Sequence, residues 1–229
     1  VTPDRLKEIR GIDLFKNISD RSFASLTQAA YAQNFPPNVE LITEGDPSDF
    51  LYIVISGSVE LFANWDKNET TLATVWPVSS FILAATINKG PYLMSARTGE
   101  KSLIVMLPSE DVRQTFENDP EFAKSIVSEL AEYYRAGIRH AKGLKLRTSK
   151  ERLANYLIKT GKKNDGATQF LLKYEKRRLA SYLGMTPENL SRAFASLKEL
   201  GVRVDGQKVS LDNMPALIEF AKPTALIDG

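Results

Sequence analysis

The sequence predicts an α+β protein in three parts: an N-terminal β-roll of the jelly-roll kind, one long helix, and a C-terminal winged helix-turn-helix. Three observations carry this. Between residues 39 and 106, short runs rich in β-branched and aromatic residues alternate with turn chemistry. From Pro120 to about Arg147 nothing interrupts a helical pattern. Residues 175–211 then read as helix, glycine turn, capped helix and hairpin.

Composition narrows the class. The chain has 229 residues, enough for one large domain or two modest ones, and is 43% hydrophobic and 25% charged, ordinary for a soluble protein with a sizeable core. It has no cysteine, which excludes disulfides, thiolate catalysis, cysteine-ligated zinc and iron–sulfur clusters. The longest apolar runs, such as Leu51–Ile55, are far short of a membrane span, and the N-terminal VTPDRLKEIR is too charged for a signal peptide. A cytoplasmic protein with no membrane partner is expected. The net charge of +2 hides an asymmetry: residues 148–229 hold 14 Lys and Arg against nine Asp and Glu, and residues 1–147 hold 16 against 19. A basic C-terminal block is either a solvated surface or a module that meets an anion.

In chain order, residues 4–31 read as helical, with Ser19 and Asp20 as caps between two short helices. Strands follow at Val39–Ile42, Leu51–Ile55, Ser58–Phe62, Thr71–Val75 and Ser102–Met106, separated by Glu44-Gly45-Asp46-Pro47, Ser56-Gly57, Asp66-Lys67-Asn68 and Lys89-Gly90-Pro91. Ser109 is expected to cap a helix with Glu110 and Asp111 in its first turn. A second helix starts at Asn118-Asp119-Pro120; a run of roughly 27 residues would be about 40 Å long, too long to be buried in one small domain. On it Val127, Leu130, Tyr134, Gly137, Ala141 and Leu144 alternate spacings of three and four, which is either a heptad seam suited to a second copy of the chain or the stripe of an ordinary core helix. A helix near Lys150–Lys162, a polar turn at 161–166 and a strand at Phe170–Tyr174 lead into the most informative stretch.

There, Leu179, Ala180 and Leu183 form the inner face of a helix that Gly184 ends. Thr186 is a good N-cap, Pro187 suits the first helical position, and Leu190, Phe194 and Leu197 form the buried stripe of the second helix. Glu188, Ser191, Arg192 and Ala195 fall on the opposite stripe. An Arg forks onto guanine O6 and N7, and a Glu accepts from cytosine N4, so this face suits base edges in a major groove. Val202–Leu211 with a central Asp205-Gly206 reads as a hairpin wing. Lys173, Lys176, Arg177, Arg178, Arg203 and Lys208 are candidates for backbone phosphates.

With those residues in view, the chain resembles the Crp/Fnr family of bacterial transcription regulators over roughly residues 12–212. The likeness rests on EGDPSDFLYIVISGSVEL (Glu44–Leu61), the long helix and the winged module, where PENLSR (Pro187–Arg192) is similar to the E-x-x-S-R signature of the Fnr-like branch. The resemblance implies a cyclic-nucleotide-binding-like roll over 1–117, a dimerisation helix over 118–147 and a DNA-binding domain over 148–229. It also implies a homodimer on double-stranded DNA, base reading by Glu188, Ser191 and Arg192 in a palindrome with half-sites near TTGAT, and contact with RNA polymerase. Pro187, where the Crp branch usually has Arg, departs from a strict Crp-type site.

The family's cyclic-nucleotide cassette is degenerate here. Leu83 and Ala84 fall where a Gly-Glu pair is expected, and Gly90-Pro91-Tyr92 where a phosphate-binding Arg is expected; the adenine-facing helix positions fall near Gly137-Ile138. A buried phosphodiester without a cation is costly, so cAMP is not expected to bind. Either Phe81, Ile82, Leu83, Ile87, Leu93 and Met94 line an apolar pocket for a hydrophobic molecule or haem, or they simply fill the roll. His140, the only histidine, is a haem-ligand candidate or a half-exposed helix residue beside Arg139 and Lys142. No metal site is expected. Two functions from different classes fit: a DNA-binding regulator, or a ligand-binding subunit that docks on another protein. No catalytic set stands out, so an enzyme is not expected.

Overall fold

The computed structural model describes residues 2–66, 68–164 and 166–228. It divides into two compact units, Val1–Tyr133 and Tyr134–Gly229.

The first unit opens with helices α1 (Pro3–Arg10) and α2 (Asp20–Gln28). Ser19 caps α2, its Oγ accepting from the Ser22 amide at 3.2 Å. The helical stretch expected through residue 31 ends early, because Tyr31–Phe35 is a strand, β1. There follow β2 (Glu40–Ile42), β3 (Phe50–Ser56), β4 (Val59–Trp65), β5 (Asn68–Val75), β6 (Ser79–Phe81), a short helix α3 (Leu83–Asn88), β7 (Ser95–Thr98) and β8 (Ser102–Pro108). Two four-stranded antiparallel sheets result, ordered β1-β8-β3-β6 and β2-β7-β4-β5.

The apolar run in β3 is continuous because both of its faces are covered. Leu51, Ile53 and Ile55 point into a core shared with the helices, including Leu26, Val112 and Phe122. Tyr52 and Val54 point the other way, into a core between the sheets with Ile42, Val59, Phe81 and Tyr92. β1, β6 and β7 escaped the sequence reading for physical reasons. β1 is an edge strand exposed along most of its length, β6 is a three-residue edge, and β7 packs through small Ser95, Ala96 and Thr98.

Helix α4 (Ser109–Asn118) begins one residue earlier than expected. Pro108 holds the cap position, and Ser109 is the first helical residue, its Oγ buried without a partner instead of capping. The long helix α5 (Pro120–Leu146) has 27 residues. Asp119 starts it, accepting from the amides of Phe122 at 3.1 Å and Ser19 at 3.0 Å. Phe122 and Ile126 are buried beneath the roll, with Phe122 stacked on Phe15 at 5.8 Å between centroids.

In the second unit α6 (Ser149–Lys163) carries a complete capping box between Thr148 and Glu151. Strand β9 (Gln169–Leu171), helices α7 (Lys176–Tyr182) and α8 (Pro187–Leu197), a 3₁₀ turn at Lys198–Leu200 and the hairpin β10 (Val202–Asp205) and β11 (Lys208–Leu211) follow. Helix α9 (Met214–Ala221) then returns to the core, burying Leu217 and Ala221, and α10 (Ala225–Asp228) ends the described chain. Among the described residues no helix is long and apolar enough to cross a membrane.

Candidate nucleic-acid interface

The geometry of the module follows from local chemistry. α7 stops in a Schellman motif: Met185 N–H donates to Ala180 O at 3.0 Å and Gly184 N–H to Ser181 O at 2.9 Å. Gly184 takes the left-handed conformation, φ +63°, that this ending requires. Thr186 then caps α8, its Oγ1 accepting from the Asn189 amide at 3.2 Å, with Pro187 in the first turn. Leu190, Ala193, Phe194 and Leu197 are buried against Leu153, Leu157, Leu179 and Ala180.

That burial forces the other stripe outward. Glu188, Ser191, Arg192 and Ala195 are all exposed. Ser191 Oγ donates to Pro187 O at 3.0 Å, leaving its lone pairs free to accept. Glu188's own backbone N–H, the Thr186 hydroxyl and Arg192 hold its carboxyl below the usual range, so it is ionised at neutral pH. Arg192 makes no hydrogen bond or ion pair with any described residue.

The wing pairs Val202 with Leu211 and Asp205 with Lys208. Its two-residue loop is Gly206-Gln207, one position later than the Asp-Gly signal suggests, with Gly206 at φ +57° as the first loop residue of a primed turn needs. Lys173, Lys176, Arg177 and Lys208 are exposed and Arg178 is half-buried. Arg203 is exposed but already engaged, its Nε donating to Asp212 at 2.6 Å.

Comparison with known proteins gives this arrangement a lineage. The cyclic nucleotide-binding domain family matches residues 32–119, and the Crp-like helix-turn-helix domain family matches residues 151–220. The chain belongs to the Crp/Fnr family. It is 24% identical over 215 residues to the "CRP-like cAMP-activated global transcriptional regulator" of Mycobacterium tuberculosis, covering 91% of this chain and 96% of that one. It is 23% identical over 176 residues to the "Transcriptional activator protein anr" of Pseudomonas aeruginosa, covering 75% and 72% respectively. The solved structure of FixK2 from Bradyrhizobium japonicum shares the fold, with a TM-score of 0.72 at 22% identity over 86% of this chain and 99% of that one.

Within this Crp/Fnr roll the cassette residues do not build the pocket suggested by their apolarity. Phe81 and Ile82 belong to the core between the sheets, whereas Leu83 and Ile87 pack in the helix-covered core. Leu93 is 77% exposed. These residues are thus divided between two cores and solvent. Two residues of the cassette are left-handed, Ile82 at φ +69°, one position before Leu83, and Lys89 at φ +57°, just before Gly90. Tyr92, standing where a phosphate-binding Arg is expected, is buried, and its hydroxyl reaches toward Phe50 O at 3.4 Å.

The roll's neighbouring cation, Arg97, is committed elsewhere. Its Nε donates to buried Glu60 at 2.9 Å, its terminal nitrogens fork onto Glu69 at 2.9 and 2.6 Å, and its guanidinium lies 4.3 Å from the Phe62 ring centre. Within the first unit the long helix meets the roll through Phe122, Ile126, Leu130, Glu129 and Tyr133; Glu129 accepts from Ser80 Oγ at 2.6 Å and Tyr133 Oη at 2.5 Å. A Cβ on Gly137 would meet nothing within 4 Å. His140 belongs to the second unit, its ring 6.0 Å from that of Tyr182.

Proposed function

We propose that the chain is a homodimeric, sequence-specific DNA-binding transcription regulator that reads a palindrome through Glu188, Ser191 and Arg192, with half-sites near TTGAT. The observation that carries this is the two-faced α8: one stripe is sealed in the core and the other presents an ionised carboxylate, an accepting hydroxyl and an unpartnered guanidinium. These are groups that discriminate bases in a major groove. Lys173, Lys176, Arg177, Arg178 and Lys208 supply the phosphate contacts, and Arg203 joins them once it leaves Asp212.

The dimer forms along α5. Val127 is 60% and Tyr134 71% exposed on an otherwise apolar stripe, and Gly137 and Ala141 allow close approach. Leu130 and Leu144 contribute less, because Leu130 is drawn into the roll core and Leu144 packs by Gly184. The effector is read as one other than cAMP: Arg97 is tied to Glu60 and Glu69, the cassette's own Lys89 is exposed at the surface, and an aromatic core occupies the space between the sheets. By family likeness the bound dimer acts on RNA polymerase.

Fluorescence anisotropy tests this with a duplex carrying two inverted TTGAT half-sites about one helical turn, roughly 34 Å, apart. A scrambled duplex serves as control, each at two salt concentrations. The site is expected to bind about 10³-fold or more tightly than the scrambled duplex, and both are expected to weaken steeply with salt. Equal affinity for the two duplexes overturns the reading.

A further inference from the structure

The second unit contains a cleft that the DNA-reading face does not use. It lies between the C-terminal half of α5 and α6, has a volume of about 230 Å³, and is walled by Tyr156 and Tyr182. Four cations, Arg139, Arg147, Arg152 and Lys159, line it against one acid, Asp228. We propose that this cleft is a binding site for a small oxyanion that also carries a hydrogen-bond donor, such as a hydroxycarboxylate or a hydrogen phosphate.

The chain's own carboxylate shows the chemistry the cleft accepts. Asp228 takes a fork from Arg147 at 2.6 and 2.8 Å, its backbone oxygen accepts from Lys159 Nζ at 2.9 Å, and Lys142 Nζ holds the Leu226 carbonyl at 3.2 Å. Bidentate Arg pairing is strong and suits carboxylates and phosphates alike. That internal ligand leaves charge over. Arg139 makes no hydrogen bond or ion pair with any described residue. Arg152 has only carbonyl partners, Arg147 O at 2.7 Å, Leu183 O at 2.8 Å and Gly184 O at 3.1 Å, and burial pushes its pKa down. The Lys159 pKa is lowered by burial and by its neighbours Lys163 and Arg139, as in an under-neutralised cluster.

A second observation independently points to a ligand. Asn155 lines the cleft and is 5% exposed; its Nδ2 donates to Glu151 O and Ala221 O, but its Oδ1 is buried with no partner. An orphaned buried acceptor is rare and calls for a donor, a water or a ligand group, to reach it. A donor-bearing anion answers both the excess cations and the empty acceptor. Because Arg152 grips the two carbonyls of the turn between α7 and α8, the site adjoins the part of the module that sets the reading helix.

Isothermal titration of the full chain at low ionic strength, with citrate and separately with inorganic phosphate, tests the site without any DNA present. One anion per chain is expected to bind. Arg139→Ala should weaken binding about tenfold or more, the scale of a lost charge-assisted hydrogen bond. Asp228→Asn, which removes the competing carboxylate, should tighten it several-fold. The proposal falls if neither anion binds wild type or the Asp228→Asn protein up to about 10 mM. It also falls if Arg139→Ala binds like wild type, which marks an adventitious ion only. If duplex DNA displaces the anion and Arg139→Ala weakens the duplex as much as the anion, the cleft holds a DNA phosphate and the small-ligand proposal is wrong. None of these titrations bears on base reading by α8.

Discussion

Asp119 shows how one side chain ties distant segments together. Burial raises its pKa, but the amides of Phe122 and Ser19 more than offset this and hold the carboxyl well below the ordinary carboxylate range. A depressed folded-state value contributes stability that is fully present above the unfolded pKa, about 3.9, and is lost as pH falls through the folded value. Asp119→Ala should therefore lower stability at pH 7 by about 1 kcal/mol or more, as lost N-caps do. The gap from wild type should narrow at pH 3, as read from urea midpoints; a gap independent of pH would show that the charge contributes nothing. At the reading helix, Arg192→Ala should cost about 1–3 kcal/mol on the specific duplex and little on random DNA. Equal losses on both would assign Arg192 to phosphate contact. The residues of this face were legible because cap, proline and heptad position are local; Arg203 was not fully legible, since its tie to Asp212 depends on how the wing closes.

At the level of elements, the turn between α7 and α8 is held by backbone geometry as much as by packing. A Cβ at residue 184 would sit in the left-handed region and 2.5 Å from Leu144 Cδ2. Gly184→Ala should cost about 1–2 kcal/mol from the dihedral, the contact adding little because the exposed end of Leu144 can move aside. Thermal melts should show the loss, together with weaker duplex binding because α8 is displaced; an unchanged melting temperature would mean that the turn relaxes freely. Strands with continuous apolar runs, β3 and β8, could be read from the chain because both of their faces are buried. β1 and β7 could not: Tyr31–Phe35 is polar and at an edge, and Ser95–Thr98 relies on small residues whose burial only the partner strands create. Helix α9 carries ordinary signals, an Asn213 cap and Pro215 in the first turn, beyond the hairpin at which the sequence reading stops.

For the whole molecule, the exposed apolar stripe of α5 is the feature that one chain leaves unsatisfied. Tyr134→Glu should leave the stability of the single chain nearly unchanged, since Tyr134 is 71% exposed in it, yet should dissociate the proposed dimer in sedimentation velocity and abolish tight binding to the proposed palindrome. An undiminished dimer would move the interface off this stripe.

Local chemistry along the chain was enough to specify the helix-turn-helix, its wing, the long helix and the departure from a cyclic-nucleotide cassette. Each of these depends on residues within a few positions of one another: a cap, a glycine, a periodic stripe, a missing pair. Folding alone decided that Phe81 and Leu83 serve opposite cores, that Arg97 is taken by Glu60 and Glu69, and that Arg147 meets Asp228 across 81 positions. Which charge finds which partner, and which face of a short strand is covered, depends on distances that exist only after the chain has packed, and no spacing in the sequence encodes them.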